Sequence, residues 1–123
     1  MTITNYKSYL AAAAGAKTFV YGYSWDVNVN HKAAYPIIRA TPKDWGLPRG
    51  SSFKIKQEFV IYNINADAAT SWDECISIWN TYKGLLNSQI VLDDVDSVDL
   101  LPLGETVENG QAIKIVANLT IWC

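Results

Sequence analysis

Residues 112–122, AIKIVANLTIW, carry Ile113, Ile115, Ala117, Leu119 and Ile121 at every second position, against Lys114, Val116, Asn118, Thr120 and Trp122. Period-two alternation over this length is a β-strand with one face in a core. Its second face is not polar throughout, because Val116 and Trp122 interrupt it. A second run, SFKIKQEFVIYNIN, sets Phe53, Ile55, Phe59 and Ile61 against Lys54, Lys56 and Glu58. Towards Val60, Tyr62 and Ile64 the other face turns apolar as well, which predicts cover on both sides there. Two long half-buried strands need strand partners and a layer to lie on their apolar face.

The remaining elements follow from spacing. Thr2 or Thr4 caps a first helix to about Ala14, with Tyr6, Tyr9, Leu10 and Ala13 on one face and Gly15 as the stop. TFVYGYSWDVNVN alternates from Phe19 to Val29 and predicts a long strand. YPIIRAT predicts a shorter one, with Pro36 at its start or on a sheet edge. TPKDWGLPRGSS, with two Pro and two Gly, predicts a projecting loop that carries Trp45. Ser71 and Glu74 match a capping box, and Trp72, Cys75, Ile76, Trp79 and Leu86, with Tyr82 alongside, predict the stripe of a second helix. VLDDVDSVDLL reads as an acidic connection running into a short strand around Val98–Leu103, and Asn109-Gly110 as a hairpin turn. The sum is a single α+β domain over residues 1–123. Its mixed, mostly antiparallel sheet has about four to five strands, with two helices packed on one face.

Composition narrows what such a domain can do. Half of the 123 residues are apolar and 12% aromatic, with five Trp and seven Tyr, while only 18% are charged. Ordinary domains carry about 25% charged residues. So many large aromatics in so small a volume predict that some lie at the surface as contact groups. Ten basic and twelve acidic residues give a net charge of −2 with no Lys/Arg run, so the footprint of a nucleic-acid binder is missing. No stretch reaches the roughly 20 apolar residues of a membrane-spanning helix. SYLAAAAGAK is too short and Ala-rich for a signal peptide. Cys75 and Cys123 form neither a disulfide framework nor a metal spacing, which fits a reducing cytosol.

The chemistry-bearing residues are few. His31 sits in a loop with no nucleophile at a motif spacing, so a solvated role is expected. Cys75 falls on the apolar stripe of the second helix and reads as packing, and nothing beside Cys123 would lower its pKa. Asp94 and Asp96 occupy the first two ligand positions of a calcium loop, with Glu105 at the twelfth. Asp99 stands where that loop needs Gly, however, and Pro102 interrupts it, so a solvated acidic turn is expected. A further reading faces the aspartates towards Lys43, Arg49, Lys54 or Lys56 of a neighbouring copy. Asn118-Leu-Thr120 matches a glycosylation sequon within a strand. The expectation is no enzyme, no metal and no cofactor.

The order of parts is itself informative. A short helix and a long strand lead to YPIIRATP with its projecting loop. FKIKQEFVIYNIN, SWDECISIWNTYKGLLN and GETVENGQAIKIVANLTIWC then follow. Over nearly the whole chain this resembles the tail-terminator and tail-completion proteins of tailed bacteriophages and related neck-ring, head–tail joining proteins. The resemblance implies a homo-oligomeric ring, commonly a hexamer, at the head-proximal end of the tail tube. Such a ring stops tube growth, binds tail-tube and head-completion proteins, and lets DNA pass without reading it. It implies a virion protein assembled in the host bacterial cytoplasm, with no membrane contact.

A head-to-tail ring needs two different complementary patches per subunit. The candidates are Lys43, Trp45 and Arg49 on one side and Asp93, Asp94, Asp96 and Asp99 on the other. Val116 and Trp122 are expected where a neighbour completes burial, and the aspartates would also give an acidic lumen. A competing reading is a small acidic binding or chaperone domain, comparable to secretion chaperones, that holds a peptide on a sheet face or groove with the loop as a clamp.

Overall fold

The structure, a computed structural model, describes residues 3–15, 17–21, 36–45, 50–64, 68–102 and 110–122. Helix α1 (Ile3–Ala14) is followed by strands β1 (Thr18–Tyr21), β2 (Ile37–Trp45) and β3 (Ser52–Ile64). Helix α2 (Ala68–Gly84) and strands β4 (Ile90–Pro102) and β5 (Gly110–Trp122) complete the chain. The strands form one sheet in the order β1-β2-β3-β5-β4, with β1 parallel to β2 and every other pair antiparallel. The expected α+β fold is therefore present, with both helices on one face.

Its centre is the pair of alternating runs. β3 and β5 are in continuous register from Ser52 opposite Trp122 to Ile64 opposite Gly110. Phe53, Ile55, Phe59 and Ile61 lie beside Ile121, Leu119, Ile115 and Ile113, all buried on the helix side. A slip of one residue would turn this whole set outward, so burial pins the register. α2 lies over β3 and β5 and sets Trp79 tilted and Tyr82 edge-on against Phe59, with ring centroids 5.3 and 5.5 Å away. Such aromatic pairs add about 0.5–1.5 kcal/mol each beyond the area they bury. α1 joins through Tyr6, Leu10, Ala13 and Ala14, and the Tyr82 hydroxyl donates to the Leu10 carbonyl at 3.0 Å. Tyr6 also donates to Gln57 Oε1 at 2.8 Å, which gives the one glutamine on the buried face of β3 a partner.

Several expectations change. β2 does not stop at Thr41 but runs through Pro42 to Trp45, with a bulge between Pro42 and Asp44, so the loop expected to begin there starts later. Pro42 sits at this bulge, a place in a sheet where a residue without an N–H is tolerated. Of the long first strand, Thr18–Tyr21 is strand and the remainder lies outside the described residues. α2 begins at Ala68, which puts Ser71 inside the helix and buried, while Glu74 accepts from the Asn63 amide of β3. Glu74 thus ties α2 to the sheet, and the two residues are not its cap. Trp72, expected on the buried stripe, is exposed. Val60 is buried on the helix-free face and Tyr62 half-buried, in line with cover on both sides there.

The largest change concerns β4. The acidic connection is part of a 13-residue strand, and two bulges, at Asp93 and Asp96, explain why it does not alternate. Each bulge adds a residue, so the apolar positions fall at Ile90, Leu92, Val95, Val98 and Leu100, in steps of two, three, three and two.

Gly15 ends α1 at φ 62°, and nothing lies within 4 Å of where its Cβ would be. Gly84 has equally open space, but its φ is not positive. The two should respond with opposite signs in thermal or urea unfolding. Gly15→Ala costs about 1–2 kcal/mol through left-handed strain. Gly84→Ala gains up to about 1 kcal/mol from helix propensity and a less flexible unfolded chain.

Candidate functional site: the helix-free face and the β4 edge

Three polar rows cross the helix-free face of the sheet. In the first, Lys43 of β2 and Lys114 of β5 approach Glu58 of β3 at 3.9 and 3.5 Å, and Glu58 is 7% exposed. In the second, Lys54 of β3 reaches over Thr120 of β5 to Asp93 at 3.6 Å, while the Thr120 hydroxyl donates to the same carboxylate. In the third, Lys56 meets Asp96 at 3.0 Å, and the Asn118 amide donates one hydrogen to Asp94 and another to Asp96. The bulges make this possible. Without the two extra residues, Asp93, Asp94 and Asp96 could not share a face with the lysines while Leu92, Val95 and Val98 stay on the other.

Asn118 and the lysines hold three neighbouring carboxylates without leaving them to repel one another. The hydrogen bonds from Lys56 and Asn118 keep the Asp96 carboxyl below the usual carboxylate range. Exposed ion pairs of this kind contribute little to stability singly. Their effect is to order β4 side chains against β3 and β5.

Beside these rows lies an open depression of about 370 Å³ lined by Asp44, Lys54, Lys56, Asp93, Asp94 and Asn118. Among the described residues, the bases of this face (Arg39, Lys43, Lys54, Lys56 and Lys114) are interleaved with Asp44, Glu58, Asp93, Asp94, Asp96 and Asp99. The face is balanced in charge, unlike the acidic surface expected from the aspartates alone. No group of three or more metal-ligating side chains is found among the described residues. Cys75 is packed as expected. Its thiol donates to the Ile61 carbonyl at 3.4 Å, and burial pushes its pKa up to about 12. At neutral pH it is therefore a protonated, packed thiol and not a nucleophile.

The expected site residues thus separate into groups. Asp93, Asp94 and Asp96 come together, but with Lys54 and Lys56 of the same chain, which takes up the bases first assigned to a neighbour. Lys43 joins Glu58. Asp99 is exposed opposite Lys114 on the same face. Val116 is half-buried and Trp122 is 46% exposed on that face. Trp45 ends β2 opposite Ile55. Arg49, His31, Glu105 and Cys123 lie outside the described residues. Sequence reasoning missed Asn118, whose match to a sequon hid its place one strand away from three aspartates. It also missed Glu58, which reads as an ordinary polar-face residue until Lys43 and Lys114 are set beside it.

The opposite, helix-bearing face has a gap at its rim. Val95, Val98 and Leu100 of β4 point to the helix side and are 39%, 53% and 46% exposed. Trp72, Ile76, Trp79 and Lys83 recur along α2 at steps of four, three and four and so share one flank. The other flank holds Ile78, Thr81, Tyr82 and Leu85 beside Ala13 and Ala14 of α1. The Trp72 flank therefore looks away from α1, and the exposed valines and leucine form an apolar row along β4.

No protein-family model matches the chain, and no curated protein matches it in sequence.

The polar rows make a sharp prediction about Asp96. Its folded pKa lies below the ordinary 3.8, so its pairing stabilises the fold above that value and is lost as pH falls through the folded pKa. Lys56→Met should raise the Asp96 titration midpoint towards the ordinary value in a carboxyl-carbon NMR titration. An unchanged midpoint would show that Lys56 does not hold this carboxylate.

Proposed function

We propose that this chain is a structural subunit of a tailed-phage virion, a tail-terminator or tail-completion protein. In this reading copies of it form a ring, commonly of six, at the head-proximal end of the tail tube. The ring stops tube growth, joins tail to head through head-completion and neck proteins, and lets DNA pass through its channel.

One observation carries the reading. The domain fills its own core and still leaves an apolar strip, Val95, Val98 and Leu100, on the helix side of β4, the last strand of the described sheet. Contiguous apolar surface of this kind on a small domain marks a contact with another protein. The balance of bases and acids on the helix-free face also suits a channel through which a polyanion passes without being held, since retention needs an excess of lysine and arginine. The resemblance in element order points to the phage setting. The same strip would accept an amphipathic helix of a client protein, which is the chaperone reading.

The test is direct. Purified protein, alone at high concentration or mixed with polymerising tail-tube protein, is imaged by electron microscopy and its mass measured in solution. Closed rings, with tubes stopped at ring-capped ends, are expected. A stable monomer or dimer that leaves tube length unchanged would refute the proposal.

A further inference from the structure

We draw no further inference here: the strongest candidate, the exposed apolar row of Val95, Val98 and Leu100 on the helix side of β4, carries nothing further, because nothing among the described residues shows what covers it.

Discussion

The thirteen-residue pairing of β3 with β5 is the constraint on which the rest of the molecule depends. Both strands alternate, both put their apolar residues on the same side, and a one-residue shift of register would turn one set to the opposite face. Once they are paired, one sheet face must be covered, and α2 covers it with Cys75, Trp79 and Tyr82. The remaining strands attach at the two sides, β2 to β3 and β4 to β5. The helix layer, made of two short helices, is then narrower than the sheet beneath it, and the shortfall lands on β4.

β4 reconciles two demands that an uninterrupted strand could not meet. Its apolar residues belong on the helix side, and its aspartates must stay near Lys54, Lys56, Asn118 and Thr120 on the other. Two bulges satisfy both by adding a residue at Asp93 and at Asp96. They also interrupt the outer hydrogen-bonding row of an edge strand, a common means of discouraging unregulated strand pairing. The β4 end of the described sheet is therefore built to avoid indiscriminate growth, yet it carries an apolar face.

How much of this was legible in the residues depended on regularity. β3 and β5 alternate without interruption and were readable from spacing alone, as was α1 with its buried Tyr6, Leu10 and Ala13 and its stop at Gly15. Cys75 as core packing followed from the stripe of α2. β4 was not readable, because two bulges turn period two into steps of two and three and the interposed aspartates mimic a solvated turn. Ser71 and Glu74 fit the local rule for a helix start, but Asn63 and the buried surface of the sheet placed them inside the helix. The pairing of Asp93 and Asp96 with lysines of their own chain needs residues about 40 positions apart, information that strand order supplies and spacing does not. Trp72 belongs to the same helical stripe as Trp79 but is exposed where Trp79 is buried.

The account stands or falls on whether the rim of the sheet at β4 is completed by another molecule of this chain. Hydrogen–deuterium exchange followed across a range of protein concentrations measures this most directly. β3 and β5 amides should be protected at every concentration, being paired within the chain. Amides of β4 beyond its bulges should become protected as the concentration rises. Exchange at β4 that stays the same while the protein visibly assembles would contradict the account.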